Sequence, residues 1–195
     1  MKNILLIQGH PDPRADHLCH ALAASYARGA AQSGNEIRTL DVAALDFDFL
    51  RSQKDWEAQP VPSGLEAAQN DILWAHHIVI FFPLWLGDMP ALLKAFWEQV
   101  LRPGFAFKAE PGGNPFKNKG LGGRSARLVV TMGMPAAVYR LYFMAHSVRS
   151  LERNILGFVG IAPVEETLIG QVGGMQDAEA QRWLLKLHSL GRKAT

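Results

Sequence analysis

Apolar residues fall along the chain in short blocks separated by longer segments with helical spacing. Five blocks are rich in β-branched and large aliphatic side chains: Ile4–Ile7, Ile37–Leu40, Ile78–Phe82, Leu128–Thr131 and, with more polar positions, Val164–Ile169. Three of them are apolar at consecutive positions, as strands covered on both faces by helices are. Between the blocks the period changes. Leu18, Leu22 and Tyr26 recur at helical spacing, as do Leu92, Leu93, Phe96 and Val100, for which Asp88 is the expected cap and Pro90 the expected first turn. Val138–Phe158 reads as one helix, and Ala178–Leu190 as another capped by Asp177. The order β-α-β-α-β-α-β-α-β predicts an α/β fold with one doubly wound, five-stranded parallel sheet in a single domain over residues 1–195. Asp46–Gly64 reads as an irregular excursion, and glycine-rich Pro103–Arg124, with Gly112 and Gly113, as a long loop.

Composition narrows this picture only in part. The 195 residues are 48% hydrophobic, enough for a sizeable core, and the formal charge of +2 argues against wholesale polyanion binding. Cys19 is the one cysteine, so no disulfide framework forms within the chain, which fits a reducing compartment. The leading apolar run is four residues long, too short for a signal-peptide core, and Ile78–Leu86 is interrupted by Pro83. A cytoplasmic protein without membrane insertion is the expectation.

The chemistry is expected where the strands end. In a doubly wound sheet ligands lie outside the carboxyl ends of the strands, so GHPDPRADHLC, FPLWLGDMP and TMGMPAAVY, which follow strands one, three and four, should converge. In the first, Asp16 can cap the next helix, whose free N–H groups suit a phosphate, with His10 and Arg14 beside them. GxGxxG and GxxxxGK[ST] are both absent, against a nicotinamide Rossmann site and a P-loop. A plain strand-to-helix turn is an equally economical reading. In the second, Trp85 after a buried strand suits a flat aromatic ligand, or simply packs under a loop. In the third, Gly133 allows close backbone approach. Tyr139 and His146, seven apart, would share a helix face and can exchange protons near neutral pH.

Taken together, HPDP, PLWLGDMPALLKAFWE, GFAF and TMGMPAAVY resemble the flavodoxin-like NAD(P)H quinone reductases. That group contains DT-diaphorase, the modulator-of-drug-activity reductases and the potassium-efflux ancillary oxidoreductases. The resemblance spans essentially the whole chain, and its most specific block runs from Pro83 to Lys94. It implies a flavodoxin-like sandwich, a bound FAD (FMN as the alternative), NAD(P)H as co-substrate, a quinone-like acceptor, and a homodimer with flavin at the interface. By position, it places His10 with His17, Leu18 and Cys19 at the flavin phosphates. Pro83, Leu84, Trp85 and Leu86 fall around the ring, and Thr131, Met132, Gly133 and Met134 at its pyrimidine edge. Tyr139 and His146 take the catalytic positions, and Phe105 and Phe107, with Trp85, line the acceptor pocket, the two phenylalanines in the partner's site. The chain departs from the pattern at His17 and Cys19, where relatives carry serine and asparagine, and at Met134, where they carry glycine.

Other readings stand beside this one. His17 and His20 form HxxH and His76 and His77 are adjacent, but the HExxH glutamate is missing and no metal is expected. Lys117, Lys119, Arg124 and Arg127 make a basic stretch without interleaved aromatics, so nucleic acid is not expected. A regulatory, flavin-binding subunit of a potassium-efflux transporter is the alternative to an enzyme.

Overall fold

The computed structural model describes residues 1–14, 16–57, 61–107 and 119–195. Five strands, β1 (Asn3–Gln8), β2 (Glu36–Asp41), β3 (His77–Pro83), β4 (Ser125–Thr131) and β5 (Val164–Ile169), form one sheet in the order β2-β1-β3-β4-β5. Every pairing is parallel. Each strand grew from one of the five apolar blocks, and the central β3 is buried along its whole length. Alternate side chains feed two cores. Leu5, Ile7, Ile78, Ile80, Phe82, Leu128 and Val130 face one layer of helices. Ile4, Leu6, Val79, Phe81 and Val129 face the other.

The helices are α1 (Leu18–Gln32), α2 (Gln53–Glu57), α3 (Ser63–Trp74), α4 (Ala91–Val100), α5 (Ala136–Leu141), α6 (His146–Ser150), α7 (Gly157–Val159) and α8 (Asp177–Lys193). A π-helical turn, Leu151–Leu156, joins α6 to α7. Helices α1 and α8 cover one face through Leu22, Tyr26 and Leu187; α3 and α4 cover the other through Leu65, Ile72, Leu93 and Phe96. Two expectations are corrected. The excursion Asp46–Gly64 contains the short helix α2 and leads into α3. The single helix Val138–Phe158 is broken where Met144 and Ala145 adopt positive φ angles of 54° and 49°. Gly112 and Gly113 of the expected long loop lie outside the described residues. Among the described residues no helix is long and apolar enough to cross a membrane.

Beneath the amino end of the sheet lies a titratable group with a measurable signature. His77 is buried, its Nδ1 2.8 Å from the Ser125 hydroxyl. Burial, then the charges of Lys2 and Arg127, depress its pKa to about 4. Its ordinary value is about 6.5, so between the two the unfolded chain binds the proton and the folded chain does not. The neutral imidazole therefore supports folding fully above about pH 6.5, and that support drains away as pH falls toward 4. The window is worth about 3 kcal/mol. Urea titrations across it should show wild type losing stability more steeply than His77→Gln by that order; parallel curves would contradict the assignment.

Candidate active site at the carboxyl ends of the strands

The strand order reverses between β1 and β3, and this is where an open parallel sheet leaves a crevice at its carboxyl edge. The chain leaves β1 pressed against β3: the Gly9 N–H donates to the Phe81 carbonyl at 2.7 Å. A Cβ on Gly9 would stand 2.7 Å from the Leu93 side chain and 3.1 Å from that carbonyl, so a larger residue would have to displace Leu93 and press on the strand. The loop then folds around Asp12. Its backbone N–H donates to His10 Nδ1 at 3.1 Å, and its carboxylate accepts from the Arg14 backbone at 3.0 Å and from the Arg14 guanidinium at 2.6 Å. These Arg14 bonds hold the Asp12 carboxyl far below the usual carboxylate range. Arg14 is thereby neutralised rather than offered to a ligand.

Asp16 does not cap α1. The N-cap is His17, which makes no side-chain capping bond, while Asp16 is exposed and 3.6 Å from His17 Nε2. The expected caps Asp88 and Asp177 are displaced likewise: Pro90 and Gln176 hold those positions. The first turn of α1 carries no acidic residue, so its N–H groups retain their positive field. Around it three imidazoles gather. His10 stacks on His17 with ring centroids 4.0 Å apart and an interplanar angle of 17°. The His20 ring lies 5.7 Å from the first and 5.9 Å from the second. Burial and the neighbouring His17 lower the His10 pKa. Cys19 turns inward instead: its Sγ is 3.2 Å from Thr131 Oγ1, and burial pushes the thiol up to about 11. Of Cys19 only the backbone can serve a ligand in the crevice.

The loop after β3 makes a tight turn. Trp85 and Asp88 exchange backbone hydrogen bonds of 2.8 and 3.0 Å around Leu86 and Gly87, both at positive φ (49° and 83°). A branched side chain in that conformation is uncommon and strained. Leu86 is fully exposed, and Trp85 is 51% exposed with its ring edge-on to His10 at 6.0 Å. Pro83 is buried and Leu84 half-buried. After β4, Met132 is buried in the core, so its side chain is withdrawn from any ligand. Gly133 is exposed with no atom within 4 Å of a would-be Cβ, and Met134 is half-buried beside it. Among the described residues the N–H groups of Gly133 and Met134 have no acceptor.

The expected Tyr139–His146 pair is not on one helix face. The positive-φ turn separates them: Tyr139 is buried in α5 with its hydroxyl 3.0 Å from Ser147 Oγ, and His146 is exposed at the start of α6. Phe105 and Phe107, expected in a partner's site, lie away from Trp85 within the chain. They pack near the far end of α4, which starts at the carboxyl edge and runs back along the sheet. There Phe107 meets Phe158 at 5.1 Å and Trp56 at 6.4 Å, and these three line a cavity of about 150 Å³ with Trp97, whose indole Nε1 is buried without a partner among the described residues. Sequence reading missed Trp56, Trp97 and Phe158, because no local spacing links them to Phe107.

The remaining sequence signals find structural partners. Lys119 donates to the Gly157 carbonyl, Arg124 to those of Ile72, Leu73 and Gly122, and Arg127 is buried against Thr167 and Glu165. Lys117 lies outside the described residues. Among the described residues no three His, Cys, Asp or Glu side chains are grouped to hold a metal ion.

Comparison with known proteins gives a consistent picture. The model of a family described as having a flavodoxin-like fold matches residues 2–189. A Haemophilus influenzae protein called an NAD(P)H oxidoreductase is 25% identical over 191 residues, 95% of this chain and 91% of that one. The solved NAD(P)H:quinone oxidoreductase of Methanothermobacter marburgensis superposes with a TM-score of 0.81 at 20% identity, covering 100% of this chain and 99% of that one. An FMN-dependent NADH-azoreductase of Bacillus anthracis, solved with FMN, gives 0.76 at 16%, covering both chains completely. A potassium-efflux ancillary protein of Enterobacter is 37% identical, but over 73 residues that make up 37% of this chain and 36% of that one.

Proposed function

The chain belongs to the flavodoxin-like fold family whose model matches residues 2–189, and from that premise we propose that it is a flavin-dependent NAD(P)H oxidoreductase passing two electrons to a quinone or similar flat acceptor. One observation carries the reading. Exposed Trp85 and the open space over Gly133 stand beside the α1 N-terminus and its imidazole cluster. That is a flat apolar seat next to a phosphate seat. When bound, the flavin supplies the two-electron chemistry.

The chain's residues do the rest. His10, His17 and the amides of Leu18 and Cys19 hold the flavin phosphates. Pro83, Leu84, Trp85 and Leu86 hold the ring laterally. Thr131, Met132, Gly133 and Met134 bound its pyrimidine edge, where the unused N–H groups of Gly133 and Met134 stabilise negative charge. Tyr139 is a positioning residue, since its hydroxyl also accepts from the Val148 N–H and so fixes the turn ahead of His146, the proposed proton carrier. The acceptor site is closed by a second copy in a homodimer. The partner subunit's Phe105 and Phe107 face Trp85, and the exposed Leu141, Tyr142, Phe143 and Met144 meet the partner. A stacked apolar slot admits flat acceptors with little discrimination among them. The compartment is the cytoplasm. An ancillary role on a transporter is the second reading, favoured by the local match to the potassium-efflux protein.

The visible spectrum of the purified protein tests this, followed by the mass of whatever heat releases. The expected result is a flavin band that NADPH or NADH bleaches anaerobically and a quinone restores, with the mass deciding between FAD and FMN. A colourless protein that takes up neither flavin would overturn the reading. Flavin uptake without bleaching would transfer the weight to the ancillary role.

A further inference from the structure

We infer that His20 joins His10 and His17 in a three-imidazole cradle for the flavin phosphate, and that phosphate binding draws a proton onto this cradle, so that flavin retention weakens as pH rises. The inference rests on the flavin reading and deepens it. It begins from an unmet hydrogen-bonding demand: both ring nitrogens of His20 are buried without a partner among the described residues. Buried polar atoms nearly always find one, because an unmet donor or acceptor forfeits its hydration with nothing in return. His17 Nε2 is in a related position, 3.0 Å from an Asp12 carboxylate oxygen but without hydrogen-bond alignment.

The second argument is charge. Facing the three rings from the loop after β1 are Asp12, Asp16 and Arg14. From the end of β2 comes Asp41, which lines a cavity of about 240 Å³ together with His20, Gln8 and Thr39. From α1 comes Cys19, whose thiol, raised to about 11, is neutral near pH 7, and from β4 its partner Thr131. From the loop after β3 comes Trp85. With neutral imidazoles the surroundings thus hold three carboxylates against one guanidinium, and that guanidinium is already paired with Asp12. A helix N-terminus contributes roughly half a positive charge, which does not offset them. A phosphate entering such a place needs further cations, and the imidazoles are the available source. Without a ligand His10 resists that charge, because burial and the His17 ring stacked 4.0 Å away both oppose it. The ligand's own charge reverses the balance. Hydroxyl and amide donors at positions 17 and 19 would hold a phosphate with no such proton.

The protein, freed of bound ligand by dialysis, is titrated with FMN and separately with riboflavin, which lacks the phosphate. Dissociation constants are read by flavin fluorescence from about pH 7 to about pH 9, above the phosphate's own second ionisation near 6. A pH dye in weak buffer counts protons taken up. FMN should take up close to one proton and lose about tenfold in affinity per pH unit once the cradle titrates; riboflavin should do neither. His17→Gln and His20→Gln together should abolish the uptake and flatten the profile while melting as wild type does; if the pair misfolds, the wild-type FMN–riboflavin contrast decides. FMN binding with no proton uptake and a riboflavin-like profile overturns the inference and leaves the flavin reading standing. Binding of neither flavin at any pH overturns both.

Discussion

Gly29→Ala lowers the unfolding free energy by about 3 kcal/mol, although it adds a single methyl group and replaces the poorer helix former by the best. The reason is the crossing of α1 and α8. A Cβ at Gly29 would stand 2.0 Å from the His188 carbonyl oxygen and 2.8 Å from its carbon. The arrangement is reciprocal, since a Cβ at Gly191 would stand 2.1 Å from the Tyr26 oxygen and 3.0 Å from the Ala30 nitrogen. These are backbone atoms, so no rotamer change relieves the overlap. The helices must part by roughly 1 Å, and a close-packed interior does not follow such a shift without voids. The voids would open among Ile4, Leu6, Leu22, Tyr26 and Leu187. For a chain of this size the loss corresponds to a melting temperature lower by roughly 6–12 °C. Gly173→Ala, with nothing within 4 Å of its Cβ, is the control and should stay within about 0.5 kcal/mol of wild type. Equal midpoints for the two variants in urea would show the crossing to be looser than drawn. Since α1 also carries His17 and His20, Gly29→Ala should weaken flavin retention in step with stability.

The sheet was legible because its information is local. The three central strands β1, β3 and β4 are short apolar runs, and Ile4–Ile7 or Ile78–Phe82 admits no helical reading of useful length. The alternation called for a helix before β3, but the start of α3 was not legible, because only Leu65, Ala68 and Ile72 are buried along its twelve residues and a charged, proline-rich stretch precedes it. The break at Met144–Ala145 was hidden for the opposite reason. Neither residue is glycine or proline, so nothing in the periodicity of Val138–Phe158 marks a left-handed turn. The caps failed for a common reason. Asp88 accepts from the adjacent Met89 N–H, Asp177 lies inside α8, and Asp16 faces solvent, so a favourable residue type near a helix start was outweighed by the path of the loop. The site followed the same division. That His10, Trp85 and Gly133 lie at strand ends follows from order along the chain. That His20 turns back toward the His10–His17 stack follows only from the seating of α1 on the sheet. HxxH alone carried no such message.

Gly133→Phe is the substitution that separates fold from function most sharply. Gly133 follows the last buried turn of β4, is exposed, and has open space where its Cβ would be. Its φ lies outside the left-handed region, so an L side chain meets no backbone strain there. The protein should therefore melt within about 2 °C of wild type, as for an ordinary surface change. If the ring's pyrimidine edge rests against Thr131–Met134, that same open space is where the flavin sits, and a phenyl group in it excludes the ligand. FMN affinity should fall at least about 100-fold, or roughly 2.7 kcal/mol, and NAD(P)H-dependent turnover should fall with it at sub-saturating flavin. The series Ala, Val, Phe should give graded losses, because the conflict grows with side-chain volume. Gly170, one residue beyond β5, offers a contrast. A Cβ there would stand 2.4 Å from the Ala136 nitrogen and 2.7 Å from the Met134 oxygen. Gly170→Ala should thus lose fold and flavin together, so its loss of activity says nothing about where the ligand sits. Only a loss of flavin at unchanged stability does, and an unchanged FMN dissociation constant in Gly133→Phe would move the ring away from the end of β4.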